Sequence, residues 1–73
     1  MSGVVAIGEA RRLAGFALAG VDVRIAESAQ AVQDEWEGLA RDVGLVILTP
    51  EAATALEERR SEREDIVWVS LPE

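Results

Sequence analysis

Gly44-Leu45-Val46-Ile47-Leu48-Thr49-Pro50-Glu51 is the stretch that decides the fold. The continuous apolar run behind Gly44 reads as a strand buried on both faces, and such strands belong to the middle of parallel sheets. Thr49, Pro50 and Glu51 then supply an N-cap, a first-turn proline and an acid favoured by the helix dipole. A buried strand that feeds directly into a helix is half of a βαβ unit.

Upstream, Val4, Val5, Ala6 and Ile7 form a second short, β-branched run, ended by Gly8. From Glu9 the pattern turns helical: Leu13, Phe16, Ala17 and Gly20 fall at i, i+3, i+4 and i+7 and share one face. Gly15 inside this helix costs about 1 kcal/mol relative to alanine. Close packing on the sheet, or a docking surface that needs a small residue, are its two explanations. Gly20 ends the helix where a positive φ is often required. Val21, Val23 and Ile25 alternate with Asp22 and Arg24, which places residues 21–26 on an edge strand with one wet face. Ser28 caps a second helix whose stripe of Ala29, Val32, Trp36, Leu39, Ala40 and Val43 runs until Gly44.

Downstream of Pro50, a third helix carries Ala52, Ala55, Leu56 and Arg59, a weakly apolar stripe that makes it the most exposed of the three. Residues 66–71 form a last strand, stopped by Pro72. The alternation β-α-β-α-β-α-β predicts an α/β fold: a small flavodoxin-like, doubly wound sheet of four parallel strands in the order 2-1-3-4 with three helices, one domain over residues 1–73.

The chemistry such a sheet can offer is restricted by composition. The 73 residues hold fourteen acids against seven arginines and no lysine, a formal net charge of -7 that repels nucleic acid and anionic membranes. Histidine, cysteine and tyrosine are absent, which removes the usual general base, the thiolate nucleophile and the commonest metal ligands. The sequence shows no run long and apolar enough for a membrane span and no secretory-signal pattern in its first residues, so direct membrane insertion is not expected and a cytoplasmic location is. The strand ends at Gly8-Glu9, Glu27-Ser28, Thr49-Pro50 and Pro72-Glu73 carry carboxylates, and one glycine stands where a dinucleotide turn needs three. A phospho-receiver site fails as well, because Thr49 and not aspartate ends the third strand. Glu9 and Glu27 could bind a hard cation, but read better as solvated surface. No cofactor, metal or catalytic residue is expected.

Two positions invite a partner. Arg59, Arg60 and Arg63 form either an acidic-partner patch or ordinary helix-surface pairs with the interleaved glutamates, and the second reading is preferred. Trp36 belongs to the core stripe; Trp68, on the terminal strand, either fills space against the third helix or faces a partner, including a second copy of the chain.

The opening strand, Gly15-Phe16 and Leu18-Ala19-Gly20, the alanine-rich second helix, Gly44 to Thr49 with an acidic helix after it, and a closing strand ending in Leu71-Pro72 together resemble the N-terminal α/β domain of the F subunits of V/A-type (vacuolar/archaeal-type) rotary ATPases. The resemblance is distributed over nearly the whole chain and includes no catalytic signature. It implies a non-catalytic central-stalk (rotor) subunit of a proton- or sodium-translocating ATPase/ATP synthase, peripheral to the membrane. The implied partner is a coiled-coil stalk protein of that complex, gripped through the sheet end and residues 15–20. The candidate interface is therefore Gly15, Phe16, Leu18, Gly20, Arg59, Arg60 and Trp68. The family's C-terminal helix, which couples to or restrains the catalytic head, has no counterpart in these residues, and Ala17 stands at an arginine-like position of the family motif. A stand-alone interaction module that self-associates is the alternative.

Overall fold

The computed structural model describes residues 3–15 and 20–72. Its strands are β1 (Gly3–Gly8), β2 (Asp22–Ile25), β3 (Val43–Leu48) and β4 (Val67–Ser70), and its helices are α1 (Ala10–Leu13), α2 (Ala29–Glu37) and α3 (Pro50–Ala55), with a 3-10 turn at Arg60–Glu62. The strands form one sheet in the order β2-β1-β3-β4, every neighbouring pair parallel. The expected architecture is the observed one.

Right-handed crossovers decide where the helices go. The step from β1 to β2 runs one way along the sheet, whereas β2 to β3 and β3 to β4 run the other, so α1 lies on one face and α2 and α3 on the opposite face. The burial follows this division. Val5, Ile7, Val46 and Leu48 share a core with Val32 and Trp36 of α2 and with Ala52 and Leu56 at α3. Ala6 and Leu13 are equally buried but lie outside that core, on the α1 side.

Several boundaries differ from the sequence reading. The second helix ends at Glu37 because Gly38 closes it; Leu39 reaches the core from a loop, and Val43 already belongs to β3. Gly44 is therefore not a helix breaker. It lies inside β3, at the register shift where Gly3 pairs with Val43 and Val4 with Leu45. The third helix stops at Ala55, which places Arg59, Arg60 and Arg63 on the turns that follow rather than on a helical end. Nor is it the most exposed helix: Ala52 and the adjoining Leu56 are fully buried. The first helix beyond Gly15 lies largely outside the described residues, but Gly20 has φ +81, the positive value expected of it. On the edge strand β2 the wet face is not where alternation put it, since Ile25 is exposed and Arg24 is half-buried against Glu35 of α2.

Candidate functional site

At the carboxyl ends of β1 and β3 the crossovers leave in opposite directions along the sheet, the usual ligand position in an open α/β sheet. Here that position is filled by the chain's own side chains. Thr49, fully buried, donates its hydroxyl to Glu9 Oε1 at 2.6 Å and accepts the Ala52 N–H at 3.4 Å, so one side chain ties the end of β1 to the start of α3. Gly8 is required by this contact, because a Cβ there would overlap the Thr49 side chain. Glu9 is buried, contrary to the solvated surface expected of it; its Oε2 lies 3.4 Å from Arg12 Nε. Glu27 caps the first turn of α1, accepting the Ala10 N–H at 3.0 Å, and Ser28 caps α2 through the Ala31 N–H.

A cavity of about 120 Å³ remains between these ends, lined by Glu9, Glu27, Ser28 and Glu51 with Ala26 and Val32 behind them. It is smaller than the roughly 300 Å³ at which small-molecule sites begin, and its carboxylates repel phosphate. Among the described residues no group of three or more aspartate, glutamate, histidine or cysteine side chains could hold a metal ion.

The arginines are divided between two tasks. Arg59 reaches Gln33 Oε1 at 2.6 Å and Glu37 at 3.0 Å on α2, and Glu62 at 3.3 Å, bracketing α2 to the segment after α3. Its hydrogen bond, followed by that of the Trp36 indole, holds the Glu62 carboxyl below the usual carboxylate range, while Glu62 and Glu37 raise the Arg59 guanidinium. Arg63 pairs with Asp65 at 3.0 Å and lowers its pKa in the same way. Arg60 instead lies over the Trp68 ring, 5.6 Å from its centroid. Trp68 in turn stacks at a tilt on Trp36, with 5.0 Å between ring centroids. Both tryptophans thus sit on the α2–α3 side; Trp36 is core, and Trp68 is half-buried at its margin.

The described members of the sequence-derived interface set lie in different parts of the fold. Gly15 is exposed, and among the described residues no atom lies within 4 Å of the place a Cβ would take. Gly20 leads into β2 at the sheet edge opposite β4. Phe16 and Leu18 lie outside the described residues. Arg59, Arg60 and Trp68 gather around α2 and β4.

Among the described residues the exposed large apolar side chains are elsewhere, and sequence reasoning passes over them. They are Val67 and Val69 on β4, 63% and 42% exposed, and Ile25 on β2, 47% exposed. Val67 and Val69 flank Trp68 and therefore point away from the α2–α3 core. The available signal is the topology itself: an order of 2-1-3-4 leaves a single crossover helix for this face.

The sequence pattern of the family described as "ATP synthase (F/14-kDa) subunit" matches residues 4–71. The crystal structure of the F subunit of the V-type ATP synthase from Archaeoglobus fulgidus is similar to this fold with a TM-score of 0.75 and 25% sequence identity, covering 97% of this chain and 98% of that one. No curated protein matches the chain.

Proposed function

The chain belongs to the family of ATP synthase F subunits, and from that premise we propose that it is a non-catalytic central-stalk subunit of a V/A-type proton- or sodium-translocating ATPase/ATP synthase. It binds a coiled-coil stalk protein of the same complex and contributes to coupling or regulation, on the cytoplasmic side and peripheral to the membrane. The observation that carries this reading is the family match across residues 4–71. The strand ends support it, because Thr49 and three carboxylates occupy the position where a nucleotide phosphate has to sit. Among the described residues no helix is long and apolar enough to cross a membrane.

A second reading, a self-associating module, is favoured by one observation: β4 is an edge strand with two exposed valines. Light scattering behind size exclusion, on the chain alone and with the host's central-stalk coiled-coil protein, separates the two. A one-to-one complex is the expected result. A stable homodimer that ignores the stalk protein overturns the stalk reading.

A further inference from the structure

We propose that the open half of the sheet face, over β3 and β4, seats a single helix contributed by the coiled-coil stalk partner. The proposal rests on the central-stalk reading and names the surface that reading requires.

Strand register brings the apolar side chains of this face into rows. Val4 pairs with Leu45 and Leu45 with Val67; Val23 pairs with Ala6, Ala6 with Ile47 and Ile47 with Val69. Along the second row burial declines towards the edge, from Ala6 at 0% exposure to half-buried Ile47 and to Val69 at 42%. The reason is the single crossover helix: among the described residues α1 packs on β1 and β2. All-parallel sheets are ordinarily covered on both faces, because each uncovered strand leaves β-branched side chains in water. Here the α2–α3 face meets that condition, and among the described residues the β3–β4 half of the other face does not.

The dimensions of the gap select its occupant. Two neighbouring strands span about 10 Å, which is the diameter of one α-helix with its side chains. The helix α1 is the wall on one side, and the free edge of β4 is the other limit. A second copy of the chain fits poorly. Its sheet cannot lie flat on this one while α1, packed on β1 and β2, stands beside the strip. Each copy also carries a formal charge of -7, and like charge opposes self-pairing. A helix from a longer coiled coil meets neither obstacle: it seats one apolar stripe on Leu45, Ile47, Val67 and Val69 and continues beyond the strip. The chain's negative charge calls for arginine or lysine flanking that stripe.

Titration calorimetry with the host's central-stalk coiled-coil protein tests the proposal, using the wild-type chain, Val67→Arg, Val69→Arg and the double variant. A Glu57→Arg variant on the α3 side serves as control. Each single substitution is expected to weaken binding about tenfold or more, the control to leave it unchanged or tighten it, and circular dichroism to remain native because both valines are exposed. Equal binding by wild type and the double variant overturns the proposal and leaves the stalk reading intact. Failure of the wild type to bind overturns the stalk reading itself. A wild-type homodimer dissolved by Val67→Arg makes a second copy the occupant and also overturns the proposal. If an arginine variant fails to fold, methyl NMR of the wild-type complex decides. Perturbations at Val67, Val69, Leu45 and Ile47 support the site, and perturbations confined to Val32 and Leu56 overturn it.

Discussion

Replacing Thr49 by valine keeps the shape of a fully buried side chain and removes only its hydroxyl, so the substitution isolates the contact that joins β1 to α3. Two interactions disappear. The hydrogen bond to the Glu9 carboxylate, 2.6 Å long, is of the charge-assisted kind worth about 1.5–3 kcal/mol, and its loss leaves a buried oxygen without its donor. The cap on the Ala52 N–H, longer at 3.4 Å, falls at the low end of the roughly 0.5–2 kcal/mol typical of N-caps. The added methyl group offsets about 0.8 kcal/mol by burial. A net loss of about 2 kcal/mol is expected, against a total stability of roughly 4–11 kcal/mol for a chain of this length. Urea denaturation followed by fluorescence reads it directly, since the stacked Trp36 and Trp68 rings separate on unfolding. With a slope of about 1 kcal/mol per molar urea the midpoint falls by about 2 M. A double-mutant cycle with Glu9→Ala then isolates the pair. A coupling energy below about 0.3 kcal/mol is indistinguishable from additivity and refutes the claim that these two side chains act on each other.

Two further outcomes follow from the same geometry. Gly8→Ala sets a Cβ against the Cγ2, Oγ1 and Cβ atoms of Thr49 and is expected to lower stability by about 1–3 kcal/mol; adding Thr49→Ser, which removes only Cγ2 and leaves the other two overlaps, should restore a minor part of that loss in the same denaturation assay. Glu62 and Asp65 both have folded-state pKa values depressed by their arginine partners, Arg59 and Arg63. A depressed carboxylate contributes stability that is complete above its unfolded pKa and is lost as pH falls through the folded value. Melting temperature should therefore drop below about pH 4, and a Glu62→Gln, Asp65→Asn variant should show a shallower drop. An unchanged slope counts against these pairs. Both carboxylates are largely exposed, so the effect should also shrink in high salt.

What was legible in the sequence was local. Thr49-Pro50-Glu51 announces a helix start because capping depends on three adjacent residues, and the structure has the cap, the proline and the acid in those positions. The end of α2 was not legible in the same way. Leu39 and Val43 continue the stripe of Val32 and Trp36, yet they reach the same core from a loop and from a strand. A period of 3.6 records which residues face the core and says nothing of the backbone that carries them. The Glu9–Thr49 bond joins residues 40 apart, and no spacing rule connects a carboxylate after one strand with a hydroxyl after another. Glu9 therefore reads as surface until the fold buries it. The open β3–β4 face is a different case. Its existence follows from strand order and crossover hand, both readable in advance, whereas Trp68, the residue the sequence singles out, lies on the other side of the strand.

The inward placement of Trp68 has a physical cause that bears on how stability and binding are distributed. On β4 the larger aromatic faces inward, where Trp36 and Arg60 contact it, and the smaller valines face outward. Aromatic burial stabilises the margin of a core in a chain short enough to need it. The α2–α3 face consequently holds most of the buried apolar surface, including Val46, Leu48, Ala52 and Leu56. The valines contribute little to folding because they remain in water. The two faces of one strand are therefore separable. Trp68→Ala removes the tilted stack and the Arg60 contact and should weaken folding, with binding to the stalk protein reduced only as far as the folded fraction falls. Val67→Arg and Val69→Arg should weaken binding at constant stability. If Trp68→Ala instead abolishes binding while the melting curve stays in place, the partner meets the inward-facing side of β4 and the assignment of faces is reversed.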